Sequence, residues 1–186
     1  MKKIISLYQR NYDGDRKVRD EVVPGAEWVL AGEGIATRKF DGTCCLVRDG
    51  KLYKRYEVKK GGTPPKDFEP ANEVDEITGK QQGWVPVGDG PEDRWHREAF
   101  DGRSFEDGTY ELIGPKIQGN PENVLMHLLI NHKHETRFPL FERKSLPERN
   151  YEAIKTWLQA HNYEGIVWHH PDGRMVKIKK KDFPDG

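Results

Sequence analysis

The sequence is poor in cysteine: it has two among 186 residues, and they are neighbours, Cys44 and Cys45. Adjacent residues on a strand point to opposite faces, so we expect no disulfide between them. Two cysteines are also too few for a structural zinc site. We therefore interpret both as free thiols of a reducing compartment that mostly pack in the core.

The chain also lacks a net charge, because 31 basic residues balance 31 acidic ones. The chain therefore lacks the overall positive charge that is typical of nucleic-acid-binding proteins. The basic runs 48–60 and 177–181 could still form a local face that binds phosphates. No apolar run reaches transmembrane length, and the N-terminus lacks the apolar segment of a signal peptide. We therefore predict a cytoplasmic protein without a membrane partner, whose oligomeric state is open.

The sequence does contain enough apolar residues for a folded core. Five Trp, seven Tyr and seven Phe argue against disorder, and the length suits one domain over residues 1–186. Asp49-Gly50 and Asp172-Gly173 are hairpin turn signals between strand-like runs. Together these patterns predict an α+β fold of antiparallel sheets with flanking helices.

The individual elements follow from residue patterns. The predicted strands are 27–31, 34–37, 43–48, 51–58, 84–87, 108–113, 165–169 and 174–179. The apolar run 124–130 is compatible with either a strand or a helix. Ser145-Leu146-Pro147-Glu148 has the pattern of a capping box, which predicts a helix over 147–161.

One lysine stands out as a candidate nucleophile. Lys39 lies two residues before the Asp41-Gly42 pair. A lysine is normally protonated near pH 7, but it becomes nucleophilic when burial or neighbouring cations lower its pKa. The groups that would accompany it are Arg55, Glu111, Glu164, Lys177 and Lys179. Each has an ordinary alternative role, such as a cross-strand ion pair for Arg55 or a solvated edge strand for the last two lysines.

In this order the residues resemble the motifs of covalent nucleotidyltransferases, the superfamily of ATP-dependent ligases and RNA capping enzymes. Lys39-Phe40-Asp41-Gly42 resembles the nucleophile motif Lys-x-Asp-Gly. Tyr110-Glu111-Leu112-Ile113-Gly114 is similar to the third motif, Glu164-Gly165-Ile166-Val167 to the fourth and Lys177-Ile178-Lys179 to the fifth.

A second resemblance is narrower. The stretch 108–116 followed by Gly119-Asn120-Pro121 resembles small single-domain ATP-dependent RNA ligases of the 5′-to-3′ type. This implies a nucleotidyltransferase (ATP-grasp-like) adenylation domain. It also implies that Lys39 takes AMP from ATP, that AMP passes to an RNA 5′-phosphate, and that an RNA 3′-hydroxyl then displaces it.

The resemblance also assigns roles to individual residues. It implies catalytic roles for Lys39, Glu164, Lys177 and Lys179. It implies nucleotide contacts for Thr37, Arg38, Gly42, Arg55, Glu111 and Val167. It implies Mg²⁺ or Mn²⁺ at Glu164 and Glu111. The adenine-stacking aromatic is not identified; Phe138 and Phe141 are candidates.

The sequence departs from many ligases and capping enzymes after the fifth motif. They continue into an OB-fold that carries a sixth motif, whereas this chain ends a few residues after Lys179. We therefore expect no OB-fold, which disfavours a DNA ligase and a GTP-dependent guanylyltransferase. These two enzymes and a non-catalytic nucleic-acid- or nucleotide-binding module are the alternatives.

Overall fold

The chain divides into two compact units. A computed structural model describes residues 4–185. Within them, residues 41–135 form the first unit, and residues 4–40 with 136–185 form the second. The expectation of one domain over 1–186 stays a prediction. No helix in the described part of the chain is long and apolar enough to cross a membrane.

The regular secondary structure of the described residues consists mainly of short strands. The strands are β1 (Ile5–Ser6), β2 (Tyr8–Arg10), β3 (Val18–Val22), β4 (Ile35–Lys39), β5 (Thr43–Arg48), β6 (Lys51–Val58), β7 (Glu69–Pro70), β8 (Gln81–Pro86), β9 (Gly108–Ile113), β10 (Leu128–Asn131), β11 (Gly165–His169) and β12 (Met175–Lys179). The helices are α1 (Glu27–Leu30), α2 (Arg94–Phe100), α3 (Leu140–Arg143) and α4 (Tyr151–Ala160). This confirms an α+β fold of mostly antiparallel sheets, while its nucleotidyltransferase identity stays a prediction.

The first unit is built on one antiparallel sheet with the strand order β10-β9-β5-β6-β8-β7. Alternate residues of its central strands point to one face and form a core. Ala99 of α2 belongs to the same core. The buried strand residues of this core are Cys45, Val47, Leu52, Tyr110, Leu112 and Leu129. The opposite face of the central strands therefore presents the intervening residues.

The second unit contains a four-stranded sheet with the order β1-β12-β11-β4 and a separate β2-β3 pair. Strand β1 runs parallel to β12, and the other neighbours are antiparallel. Helix α4 contributes four buried side chains, Tyr151, Ile154, Trp157 and Leu158. These join Ile166, Trp168, Val176 and Ile178 of the sheet in one core. The other face of β4, β11 and β12 is left for polar residues.

Two sequence predictions need correction, and one assignment that the sequence left open is resolved. Residues 27–31 were expected to form a strand, but Glu27–Leu30 is a short helix whose Trp28 and Val29 are buried. Helix α4 begins at Tyr151 rather than at 147, because Asn150 accepts a hydrogen bond from the Ala153 N–H at 2.9 Å and caps it. Of the ambiguous run 124–130, only the part from Leu128 onward forms a strand.

Candidate active site

The candidate nucleophile, Lys39, lies at the end of β4 on the polar face of its sheet. Gly165 of β11 is the cross-strand partner of Lys39 on one side and of Lys179 on the other. Opposed residues of antiparallel strands point to the same face, so the two lysines flank a position without a side chain. A Cβ at Gly165 would lie 2.1 Å from the Ile178 carbonyl oxygen. The close strand packing therefore requires glycine there.

Glu164 joins this row immediately before Gly165. Its Oε2 lies 2.8 Å from Lys39 Nζ, and its Oε1 lies 3.9 Å from Lys179 Nζ. The Glu164 side chain is 9% exposed and that of Lys39 is 21% exposed, so solvent screens this ion pair less than a surface pair. The structure thus brings together Lys39, Glu164 and Lys179, three of the four predicted catalytic residues.

The next row on the same face contains Thr37, Val167 and Lys177, which are paired across the three strands. The Thr37 hydroxyl donates to the Val167 carbonyl oxygen at 2.9 Å. His169 Nε2 lies 3.0 Å from Thr37 Oγ1. Since the hydroxyl proton is directed at Val167, His169 is the donor in this second bond. His169 is absent from the predicted site, but its place two residues after Val167 puts it on this face.

The pKa of Lys177 shows how burial and neighbouring charges act on this face. This pKa is lowered from 10.5 to about 8, first by burial and then by the positive charges of Lys179 and Lys39. Asp182 and Glu164 act in the opposite direction. Three lysines thus share this partly buried face, and a bound anion would favour their charged forms.

Arg38, a predicted nucleotide contact, points away from Lys39 because side chains alternate along β4. Its guanidinium lies over the Phe40 ring at 4.1 Å and over the Tyr163 ring at 4.6 Å. Its backbone N–H donates to the Thr136 carbonyl oxygen at 2.7 Å. Its nucleotide-binding role stays a prediction, whereas its packing role is visible.

The two candidate adenine-stacking rings differ in accessibility. Phe138 is 1% exposed and its ring packs edge-on against Trp157 and Tyr163 in the core. Phe141 is 77% exposed. Of the two, only Phe141 presents a ring that a base can reach.

In the first unit, two predicted nucleotide contacts have distinct environments. Arg55 stacks over Trp84 at 4.7 Å, and its Nη1 is buried without a hydrogen-bond partner in the described chain. Buried donors are usually paired, so this atom suits a ligand oxygen. At Gly42, a Cβ would lie 2.1 Å from the Leu112 carbonyl oxygen, so glycine is required for packing against β9.

Glu111 lies in a group that the sequence did not predict, which we call the Cys44 cluster: Cys44, Glu111 and His132. Glu111 is paired across the strands with Cys44, and its Oε2 lies 2.9 Å from His132 Nε2. Neither cysteine forms a disulfide within the described residues, as expected. Core packing holds for Cys45, which is 0% exposed, but Cys44 is half-buried in this cluster. The alternation of β5 separates the two thiols, whereas His132 comes from the turn just after β10, which sequence spacing does not locate.

A family model described as RNA ligase 1 matches residues 98–184, a little under half of the chain. This stretch includes Glu111, Glu164, Lys177 and Lys179 and begins after Lys39. The match is thus to the part of the chain that carries the third, fourth and fifth motif-like stretches.

Curated proteins named RNA ligase 1 are also similar. The chain is 25% identical to the Pongo abelii protein over 221 positions, covering 78% of the chain and 66% of the relative. It is 25% identical to the Mus musculus protein over 223 positions, covering 78% and 65%. A Danio rerio relative is 31% identical over 80 positions, covering 39% and 23%. The chain thus spans just under two thirds of the mammalian relatives, and the resemblance to RNA-ligase-type nucleotidyltransferases is confirmed.

Proposed function

We propose that this chain is an ATP-dependent RNA ligase that joins an RNA 5′-phosphate to a 3′-hydroxyl through a lysine–AMP intermediate on Lys39. The observation that carries the proposal is the row in which Lys39 and Lys179 flank Gly165, with the Glu164 carboxylate beside both amines. Similarity to proteins named RNA ligase 1 supports RNA as the substrate class.

In the first step, the Lys39 amine attacks the α-phosphorus of ATP. A nitrogen–phosphorus bond forms, the bond from that phosphorus to the bridging oxygen breaks, and pyrophosphate leaves. The amine must lose a proton first, so its ion pair with Glu164 has to open. Lys177 and Lys179 supply positive charge for the phosphates, because phosphoryl transfer depends mainly on positioning and electrostatics.

Two further transfers complete the reaction. An oxygen of the RNA 5′-phosphate attacks the phosphorus of lysine–AMP, which releases the Lys39 amine and leaves AMP on the RNA end. The RNA 3′-hydroxyl then attacks the RNA 5′-phosphorus, loses its proton and displaces AMP. The product is an ordinary phosphodiester, so each ligation consumes one ATP.

A divalent ion fits Glu164 better than Glu111. One carboxylate together with phosphate oxygens is the hard oxygen set that Mg²⁺ or Mn²⁺ prefers, and Glu164 lies beside the lysines assigned to the phosphates. Such an ion supplies charge neutralisation at the reacting phosphate. Glu111 instead neighbours a thiol and an imidazole, which are softer donors. We therefore assign the reaction's metal to Glu164.

The remaining contacts are assigned to the nucleotide. As the resemblance implies, Arg55 and one carboxylate oxygen of Glu111 would hydrogen-bond the ribose hydroxyls, and the unpartnered Nη1 of Arg55 supports its part in that role. Thr37 and Val167 share the lysine face and would line the phosphates. Arg38 and Gly42 would act indirectly, through the packing of the segments on either side of Lys39.

The test is covalent labelling with ATP radiolabelled at the α-phosphate, in Mg²⁺ or Mn²⁺. We expect a label that survives denaturing electrophoresis, is released by mild acid as a phosphoramidate is, and is absent from Lys39→Ala. Lys144→Ala, which changes an exposed lysine, is the matched control and should label normally. Labelling by GTP alone indicates a guanylyltransferase, and an adduct that persists in Lys39→Ala refutes the mechanism.

Substrate class needs a second assay. Strands of 5′-phosphorylated RNA or DNA are supplied with ATP, and joined or circular products are separated on a denaturing gel. We expect RNA to be joined in preference to DNA. Preferential joining of DNA overturns the substrate assignment while leaving the lysine–AMP step intact.

A further inference from the structure

The Cys44 cluster places three different donor atoms on one face of the first unit's sheet. The Cys44 sulfur, a Glu111 carboxylate oxygen and a His132 nitrogen all lie within 4.8 Å of one another. Strand pairing fixes two of them: Cys44 on β5 opposes Glu111 on β9. The backbone N–H of His132, just after β10, donates to the Thr109 carbonyl oxygen at 3.1 Å. Two of the three donors thus lie on paired strands, and the third, in the turn after β10, is tied to the sheet by this hydrogen bond.

We propose that Cys44, Glu111 and His132 bind a soft divalent transition-metal ion of the Zn²⁺ class. Sulfur, imidazole nitrogen and carboxylate oxygen are the donors that zinc takes in proteins. Three protein ligands leave the fourth tetrahedral position for water or a ligand atom. This differs from the Mg²⁺ expected at Glu164, because Mg²⁺ prefers oxygen donors only.

The distances require little movement. His132 Nε2 and Glu111 Oε2 are 2.9 Å apart, joined by a hydrogen bond. In a tetrahedral zinc site with bonds of about 2.0–2.2 Å, neighbouring nitrogen and oxygen ligands lie about 3.4 Å apart. A separation increase of roughly half an ångström therefore exchanges this hydrogen bond for two metal bonds, and the neutral imidazole then carries its one proton on Nδ1, which donates to the Thr109 hydroxyl oxygen. The separations from the Cys44 sulfur are at most 4.8 Å, and they would contract to about 3.6 Å with a Zn–S bond of about 2.3 Å, a movement of at most about 1.2 Å that side-chain rotation can supply.

A second interaction orients the imidazole. His132 Nδ1 lies 3.0 Å from the Thr109 hydroxyl oxygen, so Nε2 faces Cys44 and Glu111. Metal-binding histidines characteristically use their second nitrogen in this way, which fixes the tautomer and the ring orientation. The Thr109 contact therefore holds the ring in the orientation that a pre-organised metal ligand needs.

The two neighbouring thiols are suited to different roles. Cys45 is fully buried, and burial raises the pKa of its thiol well above the ordinary value. Cys44 is only half-buried, while the side chains of Glu111 and His132 are 12% and 26% exposed. The cluster is thus reachable from solvent, and Cys44 is the thiol that gives up its proton when a metal binds.

The test uses Co²⁺ as a spectroscopic substitute for Zn²⁺, added to the full chain under reducing conditions. We expect one equivalent to produce a near-ultraviolet thiolate-to-cobalt charge-transfer band and intense visible bands of tetrahedral Co²⁺, both removed by added Zn²⁺. Cys44→Ala should lose the charge-transfer band, and Glu111→Gln and His132→Asn should each weaken binding at least tenfold. Circular dichroism checks that each variant is folded.

Two controls keep the result specific. His134→Asn changes a histidine that pairs with Glu106 elsewhere in the unit and should bind Co²⁺ as wild type does. Lys39→Ala should also bind normally, so a failure of the ligase proposal and a failure of the metal proposal are separable. A charge-transfer band that persists in folded Cys44→Ala, or no band at all in wild type, overturns the proposed site.

Discussion

The polar face of the second unit's sheet and the Cys44 cluster of the first unit use the same construction with different donors. In each, cross-strand pairing sets functional groups in register on one sheet face. The second unit presents Lys39, Lys177 and Lys179 with a single carboxylate between two of them. The cluster presents a thiol, a carboxylate and an imidazole.

This difference shows that sheet geometry positions side chains but does not select the ligand. Three cations in register attract phosphate, a hard anion, whereas sulfur, nitrogen and oxygen donors attract a soft cation. The interactions within the two sets of side chains also differ. The lysines repel one another, which contributes to the lowered pKa of Lys177, whereas Glu111 and His132 already share a hydrogen bond. Ligand binding therefore relieves repulsion in one unit and replaces an existing bond in the other.

The largest expected effect comes from filling the gap between the two lysines. Gly165→Ala would place a Cβ 2.1 Å from the Ile178 carbonyl oxygen, so β11 and β12 must separate. We expect a loss of about 3 kcal/mol in the free energy of unfolding, measured by urea denaturation. Gly88→Ala is the matched control, because its Cβ would meet only Asp93 Oδ2 at 3.5 Å. Equal stability of the two variants would show that the row does not depend on glycine.

A change of charge on the same face should affect chemistry more than folding. Lys179→Ala removes one of the cations assigned to the phosphates, and we expect the rate of Lys39 adenylation to fall about 100-fold. Lys181→Ala, two residues farther along and exposed, should change the rate little. Single-turnover labelling with ATP measures both. A rate in Lys179→Ala within twofold of wild type removes Lys179 from the reaction.

A smaller effect is expected in the Cys44 cluster. Thr109→Val keeps the side-chain shape but removes the oxygen 3.0 Å from His132 Nδ1. We expect Zn²⁺ affinity, measured by chelator competition, to fall about tenfold, because the ring is no longer held in one orientation. Val at this position also suits a strand, so the fold should survive. Unchanged affinity would mean that Thr109 does not orient the imidazole of His132. The argument that the Cys44 cluster is pre-organised for a metal would then lose that support.

Much of the sheet framework follows from the sequence. The Asp49-Gly50 turn and the alternation around it predict β5 and β6 with the bounds that the structure has, and β9 and β11 also match. Period-2 patterns survive folding because each residue's face is set locally. Helix α1 was missed because four residues carry too little periodicity to distinguish a helical turn from a strand.

The sequence predicts that functional residues lie together only where those residues are close in the sequence, on one strand or in one motif. Lys177 and Lys179 were placed on one face by alternation, and the pairing with β11 agrees. The Cys44 cluster was not predicted, because His132 and Glu111 are 21 residues apart in the sequence. The pairing of β10 with β9 brings them together. Strand registers between distant segments depend on tertiary packing, which the local pattern does not encode.

The smallest effect we predict is a pH dependence of stability due to Lys177. Its pKa is about 8 in the folded protein against an ordinary value of 10.5. Below pH 8 both states are protonated, and the cost of the buried charge is fully present. Between the two values the unfolded chain binds more protons than the folded protein, so this contribution to stability rises with pH.

Lys177→Met removes the charge while keeping an unbranched side chain, so it should be more stable than wild type below pH 8. We expect an advantage on the order of 1 kcal/mol, reduced by solvent screening of a partly exposed amine, that shrinks as the pH approaches 10. Urea denaturation at pH 7 and pH 9.5 measures it, and Lys181→Met, at an exposed lysine, should show no such change. An advantage that is constant with pH would mean that the pKa of Lys177 is not lowered in the folded protein, either by burial or by Lys39 and Lys179. The lysine face would then lack the strain that an incoming phosphate relieves, and the contrast with the Cys44 cluster would reduce to a difference in donor atoms.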